Sequence, residues 1–279
     1  MAASAKTLSL EKPNPPAEDW KIVLPRRGKQ KRQFRKTIES ELQKPGQSWS
    51  PIDDQSDPEN ESKLMQKMLS YVQKLESSQF YQAFIDQIQS HEMSDHLHRV
   101  SGSEEKLQMV IYGIGSIESY EPPRLQLSLA ILMKRKFTWI GDVEVFDPVL
   151  SLTESKVLSA LGCSVLSFNE QGRRQALKPT LFFMPHCEAG LYDNLLQANW
   201  EVNMLNQIVL FGNSFEAYEQ FLSVCKDPIR EERQRHIMAI RRFTKEFAIN
   251  ATSDDYFQTF HSSSWHFFRI SHDEDLQNC

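Results

Sequence analysis

Residues able to do chemistry fall in small clusters where an apolar run gives way to small or polar side chains: Gly113-Ile114-Gly115-Ser116, Asp147-Pro148, Asn169-Glu170-Gln171-Gly172, Pro185-His186-Cys187-Glu188 and Gly212-Asn213-Ser214. Glycines after Tyr112 lack the Cβ atoms that would keep a ligand from backbone amides. A dinucleotide fingerprint needs a third glycine where Glu118 stands, and that acid would repel a pyrophosphate. An S-adenosylmethionine site tolerates more variation in this turn, with Asp147 as the acid that would hold the ribose. The structural alternative is a tight turn at Gly113 and Gly115 and a proline turn opened by Asp147. His186, Cys187 and Glu188 bring together a base, a thiol and an acid, and His186 or Cys187 are candidate ligands for haem iron or zinc. Adjacent side chains normally point apart, however, and no further ligand follows at a recognisable spacing.

Other patterns resemble motifs and fail on one residue each. Gly212-Asn213-Ser214-Phe215-Glu216 has the context of a nucleophile elbow, but Glu216 replaces its closing glycine, and Ser214 reads better as a helix N-cap. His91-Glu92-Met93-Ser94-Asp95-His96 imitates a zincin helix with its histidines five apart instead of four, so they leave the common face and the segment reads as a polar connector. His96 and His98 remain a weak metal pair. No Gly-Lys-Ser/Thr occurs, which excludes a phosphate-binding loop of that type.

These clusters need strands to hold them at one edge. Apolar runs at Leu107 to Tyr112, Phe137 to Phe146, Ser164 to Phe168, Leu181 to Met184 and Ile208 to Phe211 read as strands. Helical patterns separate them, at Pro122 to Lys134, Leu152 to Leu161, near Gln171 to Leu177, Glu188 to Glu201 and Phe215 to Val224. Pro122-Pro123 suits a first helical turn, Ser151-x-x-Glu154 a capping box and Gly162 a left-handed cap. Asp227-Pro228 would stop the last of these helices. Beyond it the chain is charged and reads as helix to about His236, and Ile237 to Phe247 with Trp265 to Ile270 supplies antiparallel edge pairing, although the first could equally be helix. The fold class is α/β, a Rossmann-like open sheet of mainly parallel strands with an antiparallel C-terminal edge and an N-terminal helical cap. In such a sheet, ligands bind outside the carboxyl ends of the strands. The candidate ligand site is therefore Gly113, Gly115, Ser116, Asp147, Asn169, Glu170, His186, Cys187, Glu188, Asn213 and Ser214.

Upstream, residues 1–57 are rich in Pro, Ser, Lys and Gln and read as a disordered basic tail. Residues 58–270 form one domain, with two amphipathic helices from Glu59 to Ile88 parted at Ser77-Ser78 inside a cap of residues 58–100, and 271–279 fray. The first 50 residues carry 11 Lys/Arg against 5 Asp/Glu, which leaves the rest at −11 in a chain of net −5. The run Arg26 to Lys36 is a candidate contact for nucleic acid or an import receptor, whereas the acidic remainder is a poor polyanion binder. Cys163, Cys187, Cys225 and Cys279 are scattered without a C-x-x-C pair, against both a zinc ribbon and a disulfide scaffold. The apolar run Leu125 to Met133 is too short to span a membrane, and the N-terminus lacks the order of a signal peptide. A cytoplasmic chain is expected, also nuclear if the basic run engages an import receptor.

Tyr-Gly-Ile-Gly-Ser at 112–116, Phe-Asp-Pro at 146–148, Asn-Glu-Gln-Gly at 169–172, Thr-Leu-Phe-Phe-Met-Pro-His-Cys at 180–187, Leu-Tyr-Asp-Asn-Leu-Leu at 191–196, Asn199-Trp200 and Phe-Gly-Asn-Ser-Phe at 211–215 together resemble the SRR-like (sensitivity to red light reduced) family, its vertebrate members most. The resemblance covers Leu107 to about Val224 and continues more weakly to Ile270. It implies a regulatory protein linked to circadian clock input and clock gene expression and, in the animal branch, to regulation of haem biosynthesis, with unknown protein partners. It brings no agreed catalytic residues, so the leaning is against an enzyme. If the pocket senses haem, His186 or Cys187 would be the axial ligand. The alternative reading is a methyltransferase-like enzyme using S-adenosylmethionine.

Overall fold

The computed structural model describes residues 48–51, 53, 57–224, 232, 234–249, 254–271 and 276. The expectations for residues 1–47 with Arg26 to Lys36, for Cys225 and Cys279, for the stop at Asp227-Pro228 and for most of 228–236 and 271–279 lie outside the described residues.

Helix α1 (Pro58–Glu76) starts where the Asp57 carboxylate accepts the Glu59 N–H at 2.9 Å, and it buries Leu64, Met68, Val72 and Leu75 along one stripe. Ser78 caps α2 (Gln79–Ile88), so the break falls at Ser77-Ser78 as expected. Residues 91–96, read as a polar connector, are instead the start of a third helix, α3 (His91–Ser101), capped by Ser90. Met93, Leu97 and Val100 recur on one face and are buried, which decides the conformation over the polar residues between them.

The sheet begins with β1 (Leu107–Tyr112) and proceeds through α4 (Glu121–Lys136), β2 (Ile140–Phe146), α5 (Leu152–Ala160) and β3 (Cys163–Val165). Next come β4 (Thr180–Met184), α6 (Ala189–Ala198), the short α7 (Val202–Leu205), β5 (Ile208–Asn213) and α8 (Phe215–Val224). Then α9 (Arg235–Ile240) leads through a 3-10 turn to β6 (Thr244–Ala248), α10 (Asp254–Phe260) and β7 (Ser263–Phe268). Strand order is β3-β2-β1-β4-β5-β7-β6, with β1 to β5 mutually parallel and β7 antiparallel to both β5 and β6. The expected parallel core and antiparallel edge are both present.

Alternation along each strand feeds two cores. Met109, Ile111, Leu181, Phe183, Val209 and Phe211 face α1 to α5 and α10. Val110, Tyr112, Phe182, Met184, Ile208 and Leu210 face the layer containing α6, α8 and α9. Connections from β1 outward to β3 run on the first face and those from β4 to β5 on the second, so the winding reverses between β1 and β4. Upstream of α1, Trp49 packs edge-on against Phe146 at 5.4 Å and its N–H reaches the Ser167 carbonyl at 2.7 Å.

Several boundaries differ from expectation. The segment 171–177 is not helical: Gln171 and Gly172 have φ of +53° and +76°, and Asn199 captures the Ala176 N–H at 2.6 Å. β2 starts at Ile140 instead of Phe137, because the Ile140 N–H closes a turn onto the Phe137 carbonyl at 3.2 Å. β3 is three residues long, and Phe168 lies beyond it in an isolated bridge to Ser48. The helix expected over 188–201 is divided into α6 and α7 around Asn199. Ile237 to Phe247 holds the end of α9 before it becomes β6.

Candidate functional site

The tips of the parallel strands carry the residues that the sequence singles out, but as three separate networks. The first closes the turn after β1. Asp147 is buried, and its carboxylate accepts the Gly115 N–H at 2.7 Å and the Val149 N–H at 3.0 Å. Burial raises its pKa, opposed by these two N–H bonds. Ser116 Oγ donates to Glu154 at 2.7 Å, and the same buried carboxylate takes the N–H groups of Glu118 and Ser151, the latter completing the capping box with Ser151. Glu154 is thus the junction of the turn, a role that its capping-box spacing signalled only in part. Arg124, also buried and not foreseen, donates to the Ile117 and Glu118 carbonyls.

The topological rule puts a ligand crevice at the β1/β4 reversal. Here Cys187 fills it. Its thiol donates to the Tyr112 carbonyl at 3.2 Å, and a Cβ on Gly113, whose φ is +66°, would stand 2.5 Å from the sulfur. Burial, with Asp147 and Glu188 nearby, pushes the thiol pKa up, so it stays protonated. Glu188 is the exposed residue before α6 and makes no side-chain capping bond.

The second network surrounds Glu170, which accepts from the Tyr112 hydroxyl and from Arg174 Nε at 2.8 Å; Arg174 also donates to Glu144 at 2.7 Å. Burial and the Glu170 bond raise the Tyr112 pKa. Burial works against the Arg174 charge, but the two carboxylates more than offset it and raise its pKa. Asn169 accepts the Gln171 N–H at 2.8 Å in an Asx turn that orients this loop.

The third network borders an open cavity of about 360 Å³ lined by His186, Asn213, Ser214, Tyr218, Gln234, His261 and Ser262, with Ala217 and Phe221 at the rim. Asn213 accepts the His186 N–H at 2.7 Å and donates to the Cys187 carbonyl and the Tyr218 hydroxyl. Its own N–H reaches Tyr192, whose ring lies against Gly212. The exposed His186 has a φ of +57°; its Nε2 meets the Thr259 carbonyl at 2.8 Å and its ring lies 4.7 Å from that of His261. Desolvation of the ring and then His261 lower its pKa. Ser214 caps α8 by accepting the Ala217 N–H at 3.1 Å, as its position predicts. His186, Asn213 and Ser214 therefore share one cavity; Gly113, Gly115, Ser116 and Asp147 share the closed turn; Asn169 and Glu170 stand apart from both. Tyr218, Gln234, His261 and Ser262 were missed, because α8, α9 and the loop before β7 reach this edge only through tertiary structure. Elsewhere, His96 Nδ1 bonds Arg99 at 2.6 Å and His98 Nδ1 bonds the Ser94 carbonyl, so they do not form a pair. Among the described residues no group of three or more His, Cys, Asp or Glu is arranged to hold a metal.

Fold and strand-tip architecture define a doubly wound α/β protein with its open cavity beside β4 and β5. The SRR1 domain model matches residues 84–267, and the chain belongs to the SRR1 family. It is 56% identical to Protein SENSITIVITY TO RED LIGHT REDUCED 1 of Arabidopsis thaliana over 92% of this chain and 94% of that protein. Identity to the SRR1-like protein of Mus musculus is 38% over 44% of this chain and 50% of the mouse protein, so the plant relative is matched more extensively than this vertebrate one, against the vertebrate leaning of the motifs. Among solved structures, a Klebsiella pneumoniae protein described as an O-methyltransferase aligns with 78% of this chain and 92% of its own at a TM-score of 0.41 and 8% identity. Likeness so remote defines neither a reaction nor a ligand.

Proposed function

We propose that this chain is a regulatory protein acting, like the plant relative's name, in sensitivity to red light, with circadian clock gene expression as its output, and that the cavity beside β4 and β5 holds its ligand or partner. The observation that carries the cavity assignment is conformational. Among the described residues, the non-glycine positions with positive φ are Gln171, His186 and Ser262, and the last two line this cavity. Left-handed backbone at such residues costs on the order of 1–3 kcal/mol each and persists where the surroundings impose it, often at binding sites. Here Asn213 holds the His186 N–H, and the Ser262 carbonyl accepts the Ser214 N–H at 2.7 Å.

An adenosyl-binding, methyltransferase-like reading draws no support from the glycine turn, where Gly115 and Asp147 bond each other and Cys187 occupies the approach to Gly113. Control of haem biosynthesis remains the animal-branch version of the regulatory reading, without Cys187 as a ligand because its thiol is turned to Tyr112. Residence in the cytoplasm, with nuclear entry through Arg26 to Lys36, belongs to the same proposal.

The test is complementation of an Arabidopsis line lacking its SRR1 protein. This chain should restore red-light sensitivity and clock gene rhythm, while Ala217→Trp, which fills the cavity from an exposed rim position, should not, at unchanged thermal stability. Failure of the unaltered chain overturns the regulatory reading. Full rescue by Ala217→Trp overturns the cavity assignment.

A further inference from the structure

The same cavity has an excess of lone pairs. A carbonyl oxygen only accepts, so the contact of His186 Nε2 with the Thr259 carbonyl at 2.8 Å requires Nε2–H and leaves Nδ1 with its lone pair. By the same logic, His261 Nδ1 donates to the Phe257 carbonyl at 3.1 Å and leaves Nε2 as the lone-pair nitrogen. A backbone carbonyl on one ring nitrogen is the arrangement that orients metal-ligating imidazoles through the other. Gln234 also lines the cavity; it is only 6% exposed, and its Oε1 has no hydrogen-bond partner among the described residues. A buried acceptor without a donor costs about 1–3 kcal/mol, which a bound electrophile would relieve.

We propose that His186 and His261 bind one divalent transition-metal ion of the zinc class in this cavity, with Gln234 Oε1 as a third donor and the remaining positions open to an exogenous ligand. Ring spacing agrees with one shared ion. Zinc–nitrogen bonds of about 2.0–2.1 Å put two ring centroids about 4.5 Å apart for a right-angle pair and about 5.2 Å apart for a tetrahedral one. The observed 4.7 Å lies between them. Imidazole nitrogens select zinc, copper, nickel or cobalt over magnesium or calcium. Among the described residues no further His, Cys, Asp or Glu completes a group of three, so the ion would be incompletely ligated by protein and able to accept a donor atom from a small molecule. The inference rests on this cavity being the ligand site and specifies what that site takes.

The full-length protein is titrated with Zn²⁺ by calorimetry and with Co²⁺ by visible absorption, with thermal unfolding of each variant as the folding control. One Zn²⁺ per chain is expected, with Co²⁺ absorption typical of four or five ligands and no response to Mg²⁺. His186→Asn, whose side chain tolerates left-handed backbone, and His261→Ala should each weaken the site by about 100-fold or more, and the His91→Ala/His98→Ala pair should leave it unchanged. Gln234→Glu should tighten it, as a carboxylate replaces a neutral oxygen, and Gln234→Leu should weaken it. No stoichiometric binding, or binding indifferent to His186 and His261, overturns the metal assignment. If that occurs while Ala217→Trp still abolishes rescue in plants, the metal falls and the cavity reading stands.

Discussion

Gly113 and Cys187 show how a correct inference about space can leave open what fills it. A glycine in the turn after β1 does mark a place where a side chain would obstruct something, and the obstructed group is the protein's own sulfur from 74 positions along the chain. No local pattern encodes that contact, since Cys187 meets the turn only once β1 and β4 are neighbours. Alanine at Gly113 would combine left-handed backbone at φ +66° with a 2.5 Å approach to sulfur. Strain of about 1–2 kcal/mol and overpacking of about 1–3 kcal/mol predict a loss of roughly 2–5 kcal/mol in urea unfolding. The double variant Gly113→Ala/Cys187→Ala should lose about 1–2 kcal/mol less than the sum of the single changes, because removing the sulfur relieves the clash but not the φ strain. Strict additivity would show that Cys187 does not occupy the crevice.

Among the elements, periodicity located most of the sheet and failed where polar side chains govern the backbone. β1 and α8 have the bounds their patterns indicate, since each is a clean apolar run between turn residues. The 171–177 segment has helical spacing, yet Asn169, Asn194 and Asn199 take its backbone groups and prevent a helix. α3 carries a legible stripe at Met93, Leu97 and Val100 that the histidines obscure. The antiparallel edge yields a prediction of its own. His266 is buried in β7, with Nε2 3.7 Å from Glu246 of β6. Despite that proximity, burial depresses the His266 pKa to about 4, so it is neutral at pH 7 and the contact is not an ion pair there. Above about pH 6.5 the ring is neutral folded or unfolded; as pH falls from there towards 4, the unfolded chain takes up a proton that the folded one refuses, and stability declines. Glu246, whose pKa is lowered despite its burial because of His266 and bonds to it, adds loss in the same direction at the acid end of that window. Urea midpoints measured from pH 7 to 4 should fall by an amount on the order of 3 kcal/mol in free energy. His266→Gln should be less stable at pH 7 but follow a shallower slope; an equal slope would remove His266 as the cause.

At the scale of the whole molecule, the two-sided sheet makes α1 to α3 a structural layer as well as a cap. These helices bury eleven aliphatic, methionine and phenylalanine side chains, in the same apolar cluster as β1, β2, β4 and β5. At about 1.5–3 kcal/mol per side chain, an upper bound for burial, they contribute on the order of 15–30 kcal/mol, against a net stability of about 5–15 kcal/mol for a typical domain. The three helices share the cover of that face with α4, α5 and α10, and their removal would open much of it to water, whereas parallel sheets are stable with both faces packed. A chain beginning at residue 103 should therefore show no cooperative thermal transition and should expose apolar surface to a fluorescent dye, although every strand and every residue of the candidate cavity remains in it. Trp49→Ala provides the graded comparison. Trp49 is half-buried and rests on Phe146, with its indole N–H 3.4 Å from the Pro148 carbonyl; its loss should cost about 2 kcal/mol, roughly half the value for a fully buried aromatic, and leave a single transition at lower temperature. Cooperative unfolding of the chain beginning at residue 103 would mean that α4, α5 and α10 cover the first face well enough without α1 to α3, which would then be a cap and not a structural layer.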